Sequence, residues 1–192
     1  DVTKFGNIPD GGGHKFVGRQ QGKQNAVATA HRTGERGKDY HPRIGTAYVH
    51  TVIDDHSRVA YVEARDDETK DTAVEVLRNA VAWFADRGVT VERVLTDNGS
   101  CYRSKAFNKA LKDTHITHKY TRPYTPKTNG KVERFNRTLV AEWAYALPYA
   151  SETDRLAELP GWLHHYNHHR GHTALKGKSP ADRVPNLSGD YN

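Results

Sequence analysis

Three carboxylates carry the chemistry this chain can do. Asp97 lies in Thr96-Asp97-Asn98-Gly99, at the end of the apolar run Val89-Thr90-Val91-Glu92-Arg93-Val94-Leu95. Glu133 follows after 35 intervening residues, at the head of a basic helical stretch. Asp1 opens Asp1-Val2-Thr3-Lys4, which reads as an earlier strand. Three carboxylates in a basic field, with no thiolate set beside them, fit hard divalent cations and phosphate chemistry. Two ions about 3.5–4 Å apart can activate a nucleophile, steady a leaving oxygen and neutralise phosphorane charge. Three carboxylates can hold two ions if one aspartate bridges them. Without metal the cluster would repel itself and raise its own pKa values.

Glu133 stands among Arg122, Lys127, Lys131, Arg134 and Arg137. On a helix these cations can follow a nucleic-acid backbone while Glu133 points inward. The competing reading is a solvated basic face with an ordinary i,i+4 pair between Glu133 and Arg137. Asp54 and Asp55 are a rival source for the first aspartate. Their plainer role is to cap a turn and to pair with Arg58.

The elements that must position these residues follow from pattern. Residues 1–9 read as a strand. Residues 10–46 are Gly-rich, basic and poorly periodic, so a functional insertion or mobile arm and a solvated loop are both open. Two β-rich runs, 47–53 and 59–63, flank the turn-like Asp54-Asp55-His56-Ser57 and form a hairpin. Ala73, Val74, Leu77, Ala80, Val81 and Phe84 recur at helical spacing within 69–87, and Gly88 can stop that helix. A strand at 89–95, a helix at 104–113 and a strand near 115–120 come next. Pro123 and Pro126 keep 121–129 extended or turning. A helix starts near Gly130 with the stripe Val132, Phe135, Leu139 and Trp143, and a last helix spans about 153–168. This order predicts an α/β fold, a mixed five-stranded sheet flanked by helices.

Bulk properties narrow the classes. The 192 residues suit one large domain, and 35% hydrophobic residues suffice for a core. A net charge of +6 favours a polyanionic partner, and 12 histidines add charge at acid pH. The single cysteine, Cys101, excludes an internal disulfide and fits a reducing, cytoplasmic compartment. No apolar run is long enough to span a membrane. The chain has no Met and starts at Asp1, so it is expected to be a fragment cut close to its first strand.

The motifs then point to a family. Leu95-Thr96-Asp97-Asn98-Gly99, together with Pro123 to Leu139 (Pro-Tyr-Thr-Pro-Lys-Thr-Asn-Gly-Lys-Val-Glu-Arg-Phe-Asn-Arg-Thr-Leu), strongly resembles the integrase core of bacterial insertion-sequence transposases, which is related to retroviral integrases. Asp54 to Arg58 and Tyr166 to Arg170 extend the resemblance over almost the whole chain, with 10–46 the loosest part. It implies a ribonuclease H-like fold and a catalytic, metal-binding triad of Asp1, Asp97 and Glu133. It also implies Mg²⁺ or Mn²⁺ as cofactor, with two ions. Double-stranded DNA, both element ends and target, is the implied substrate. Asn129 would lie near the scissile phosphate, with Lys127, Lys131, Arg134 and Arg137 on phosphates. Tyr124 would stack on a base or pack, and Arg122 adds to the DNA-contacting set. A homo-oligomer acting at a bacterial nucleoid is expected. Residues 1–150 would form the core, with the insertion at about 10–46, and 151–192 a helical extension.

Three matters stay open on sequence. His164, His165, His168 and His169 form two i,i+4 pairs, with His172 beyond, and could hold Zn²⁺, pack, or touch a DNA backbone. The chain could be a non-catalytic DNA-binding or assembly module. It could also be a nuclease that hydrolyses without joining.

Overall fold

Alternation along the second strand dictates a layered architecture. The computed structural model describes residues 1–33, 43–122 and 129–184. Strands β1 (Val2–Gly6), β2 (Thr46–Ile53) and β3 (Ala60–Arg65) form an antiparallel sheet in that order. Val49 and Thr51 of β2 face one side, and His50 and Val52 face the other. On the first side Val49 joins Phe5, Ala60, Val62, Phe135, Leu139, Trp143 and Tyr166 in the largest core cluster. That side is covered by helices α6 (Gly130–Leu139) and α7 (Glu152–His168). On the second side Val52 packs toward Val59 and Phe84, and Phe84 belongs to α3 (Lys70–Ala85). The result is a helix–sheet–helix sandwich.

The expected helical stripes hold. Val132, Phe135 and Leu139 are the buried residues of α6, and Trp143 is buried in the π turn Val140–Ala144 that follows. Ser104 caps α5 (Lys105–Asp113), accepting from the Phe107 N–H at 3.1 Å, and Ser151 caps α7, accepting from Asp154 N–H at 3.2 Å. Asn167 of α7 grips β3 by accepting from the Ala60 N–H and donating to the Ala60 carbonyl, both at 2.8 Å. Its place in the Tyr-Asn motif therefore has a packing role.

Two expectations need correction. Among the described residues the five strands form two sheets. β4 (Arg93–Thr96) and β5 (Thr117–Tyr120) pair in parallel apart from the three-stranded sheet. Val2, Val91 and Val94 meet instead as side chains packed on a second core of α3, α4 (Ser100–Arg103) and α5. Apolar pattern reports which side chains are buried. It does not report which strand edges share hydrogen bonds, and the same pattern serves both arrangements. For that reason the strand read at 89–95 is shortened to 93–96, while Val89 and Val91 still pack.

The second concerns the described part of residues 10–46, which holds α1 (His14–Val17) and a long α2 (Arg19–Thr33) where no helix was expected. The helix lacks an apolar stripe, and its buried residues are Gly22, Thr29 and Ala30. Periodicity therefore could not reveal it. Gln, Lys, Ala and Arg supply the helix propensity. Gly22 is required by packing, because a Cβ there would lie 2.5 Å from the His14 Cα. The insertion is anchored where Gly11 N–H donates to the Ala150 carbonyl at 2.8 Å and Asp10 N–H to the Thr29 hydroxyl at 2.9 Å. An Arg32–Asp10 ion pair adds to these.

Burial holds His50, His118, His168 and His172 below the ordinary imidazole range. The unfolded chain takes up these protons near pH 6.5, and the folded one takes them up only at lower pH. The stability they contribute is complete above about pH 6.5 and is lost as pH falls through the folded values. Thermal melts are expected to show Tm dropping as pH is lowered from about 7.5 to about 5. A Tm that stays level over that range would contradict this account.

Candidate active site

Asp1 is fixed by the sheet and by α6. It exchanges both backbone hydrogen bonds with Thr51, at 2.8 and 3.0 Å, so Asp1 is held in the β1–β2 ladder. Its carboxylate accepts from the Val2 N–H at 2.9 Å and from Asn136 Nδ2 at 2.8 Å. The Asn136 amide oxygen in turn accepts from the Thr51 hydroxyl at 3.3 Å. Asn136 therefore bridges β2, Asp1 and α6.

Asp97 sits just past β4. Its Oδ1 accepts from the Gly99 N–H at 2.9 Å, and a Cβ on Gly99 would press within 3.0 Å of that oxygen. The glycine of the Asp-Asn-Gly motif thus lets the backbone close on the carboxylate. Asn98 Nδ2 donates to the Thr121 carbonyl at 3.0 Å, tying the motif to the end of β5.

Asp1 and Asp97 line one cleft of about 780 Å³ between the two sheets, with Asn129, Lys131 and Lys119 on its walls. Glu133 lies on the same helix start as Lys131 and Val132, which line this cleft. It lines a neighbouring shallow depression with Asn136, Arg137 and Val140. Asn136 lies three residues after Glu133, so the helix face that touches Asp1 also carries Glu133. Among the described residues, no three His, Cys, Asp or Glu side chains form a metal-holding group. The donors brought together are hard oxygens, two carboxylates and a carboxamide, and these fit Mg²⁺ or Mn²⁺ in kind.

The other predicted residues divide. Asp54 caps the hairpin turn, accepting from the Ser57 N–H at 2.7 Å and its hydroxyl at 2.5 Å. Burial raises the Asp54 carboxyl, but the Ser57 hydrogen bonds outweigh burial and leave it below its ordinary value. The ion pair expected between this turn and Arg58 is absent among the described residues. Arg58 reaches the Asp55 carbonyl instead, and the Asp55 carboxylate pairs with Lys131. Lys131 also donates to the Asp55 carbonyl at 2.9 Å, so the Lys131 cation is partly committed to the hairpin. Arg122, Arg134 and Arg137 are exposed. No Glu133–Arg137 ion pair occurs among the described residues, so the plain i,i+4 reading of Glu133 lacks its contact. Tyr124 and Lys127 lie outside the described residues.

Cys101 is buried behind Asp97, and burial raises its thiol. The histidines of α7 contact one another. His164 stacks on His168 at 4.7 Å, and His164 and His169 Nε2 atoms stand 3.2 Å apart. Sequence reading missed Asn136. Its signal was its place one helical turn beyond Glu133, in Glu133-Arg134-Phe135-Asn136.

A layered α/β fold with two strand-end aspartates on one cleft and an acidic residue on the adjoining helix defines the class of this domain. The chain belongs to the integrase core domain family. One model of that description matches residues 1–126 and a second matches 114–180. A putative integrase of Spiroplasma virus SpV1-C74 is 27% identical over 154 residues, covering 73% of this chain and 42% of that protein. The putative transposase InsD for insertion element IS2E of Escherichia coli K12 is 31% identical over 88 residues, covering 46% of this chain and 40% of that protein. The chain thus spans about two fifths of the length of these relatives. Among solved structures, the intasome of simian T-cell lymphotropic virus, in complex with a PP2A regulatory subunit, contains a chain with TM-score 0.61 and 24% identity, over 83% of this chain and 53% of that one. The HTLV-2 integrase catalytic core, in complex with magnesium in a dimeric form, gives TM-score 0.54 and 19% identity over 79% and 90%. These likenesses establish the α/β fold.

Proposed function

We propose that this chain is the catalytic core of a DNA transposase or integrase, acting on double-stranded DNA. The observation that carries the reading is Asp1 and Asp97 facing one cleft, with Asn136 holding Asp1, in a chain of the integrase core family. In this reading Asp1, Asp97 and Glu133 would hold two Mg²⁺ or Mn²⁺ ions, which would supply Lewis acidity toward the phosphate oxygens and the attacking hydroxyl. Water cleaves the phosphodiester at an element end and leaves a free 3′-hydroxyl. That hydroxyl then attacks a target phosphodiester, forming one phosphorus–oxygen bond as another breaks. No covalent link to the protein is needed.

Arg122, Arg134 and Arg137 are free to lie along backbone phosphates, and Asn129 is placed at the cleft for the scissile region. Lys131 joins them on leaving Asp55. Lys127 and Tyr124 belong to the same proposal on sequence grounds alone. Residues 1–150 act as the core and 151–192 as its helical extension. Joining two ends calls for at least two copies, and the HTLV-2 core is named in a dimeric form. The host compartment would be the bacterial nucleoid. No helix of the described residues is long and apolar enough to cross a membrane.

The test is an assay with a labelled element-end duplex and a plasmid target in Mn²⁺. Joined products support the reading. Nicks alone would reduce the chain to a hydrolytic nuclease, and intact DNA with retained binding would make it an assembly module.

Asn136 is expected to act as a positioning residue. Asn136→Ala should raise the metal concentration needed for half-maximal cleavage by about 10–100-fold, because such supporting contacts orient ligands. The rate at saturating metal should move less. A fall in rate with no change in metal requirement would remove Asn136 from this role.

A further inference from the structure

The insertion between β1 and β2 does not line the cleft, and its helical part is cationic, although Asp10, Glu35 and Asp39 flank that part in sequence. Residues 11–33 contain Lys15, Arg19, Lys23 and Arg32, with no Asp or Glu. No i,i+4 acid can therefore neutralise the cations along α2. Arg32 pairs back to Asp10, and Lys15 donates to the Tyr145 carbonyl at 2.6 Å. Arg19 and Lys23 stand four residues apart on one helix face, and both are exposed. Phe16, Val17 and Val27 are also exposed on these two helices, at 45%, 37% and 50%. The segment is also anchored: Gly22 packs against the His14 backbone, Asn25 Nδ2 donates to the Gly12 carbonyl at 3.0 Å, and Gly11 is tied to Ala150. A solvated loop has no need of such anchoring.

We propose that α1 and α2 form a second DNA-backbone contact, apart from the catalytic cleft. The occupant is duplex DNA, because an acid-free cationic helix is complementary to a polyphosphate. The position sets which DNA it touches. Asp1 immediately precedes β1 and the insertion leaves from the far end of that strand, which at about 3.3 Å per residue is about 17 Å long. The surface would therefore grip DNA that flanks the reacting phosphate, not the phosphate itself. This inference rests on the reading of the chain as a DNA-acting core.

The experiment compares the full chain with Arg19→Glu/Lys23→Glu, using a short duplex confined to the cleft and a longer one extending well past the reacting phosphate. Binding is measured against salt concentration. The double variant is expected to bind the longer duplex at least tenfold more weakly, with a log–log salt slope lower by about 1.8 for two lost phosphate contacts. Binding and cleavage of the short duplex should be unchanged. Arg19→Gln/Lys23→Gln serves as a milder second variant, and both should melt like the parent chain. Equal losses on both duplexes, or no loss on either, would overturn the proposal. No loss on DNA would leave the surface to a protein partner. Failure of the parent chain to cleave or join any duplex would instead count against the catalytic reading, and the salt slopes would still decide this one.

Discussion

Asp97→Asn is expected to lower single-turnover DNA cleavage and joining by at least about 10³-fold, about 4 kcal/mol of transition-state stabilisation. The change keeps shape and hydrogen-bonding size, so the Gly99 N–H can still approach the side chain. It removes one negative charge from the donor set on the cleft, where charge and not shape would hold divalent ions. DNA binding should survive, since the exposed cations are untouched. The control is Asp54→Asn. Asp54 is engaged in capping Ser57, so its substitution should cost some stability and little activity. If Asp54→Asn is the inactive variant and Asp97→Asn is active, the assignment of the site is wrong. Glu133→Gln is expected to resemble Asp97→Asn. Were it fully active, the residue would be only a helix-face acid beside its depression.

The second large effect concerns stability. Arg155 is fully buried and pairs with Glu152 at 2.7 Å. Its guanidinium lies 5.4–5.8 Å from the rings of Tyr145, Trp143 and Phe5, and its Nε has no hydrogen-bond partner. Glu152 also accepts from the Ile8 N–H at 2.8 Å, linking α7 to the chain after β1. Removing one member of a buried pair leaves an uncompensated charge, which typically costs about 3–5 kcal/mol. Glu152→Gln is therefore expected to cost about 3 kcal/mol in urea unfolding. Arg155→Met removes the buried charge and keeps most of the volume among the aromatic rings. It should be the milder change, because the Glu152 carboxylate it leaves behind is 19% exposed and keeps the Ile8 N–H as a donor. If Arg155→Met proves as damaging as Glu152→Gln, the pair stabilises the fold outright and the desolvation argument fails.

Much of this molecule was legible from its residues. The stripe Val132, Phe135, Leu139 and Trp143 announced a helix with one buried face, because helical period and burial are the same fact read twice. The β-rich runs around Asp54 to Ser57 announced the hairpin, and Asp54 caps the turn as its type allows. The Asp-Asn-Gly and Asn-Gly-Lys-Val-Glu-Arg motifs carried the family, since their spacing encodes a site more narrowly than any composition does. α2 was not legible, because its burial comes from small residues at a close crossing and leaves no apolar rhythm to count.

Tertiary structure alone decided three things. It divided the strands into a sheet of three and a sheet of two, because strand edges choose partners by proximity in space, which local pattern does not record. It placed Asn136 against Asp1, a contact across 135 positions of sequence that arises only when α6 docks on β2. It also set Asp1 and Asp97 on one cleft and Glu133 on the next depression. Types and spacings of residues determine which chemistry is available. How helices and sheets pack determines which of those residues meet.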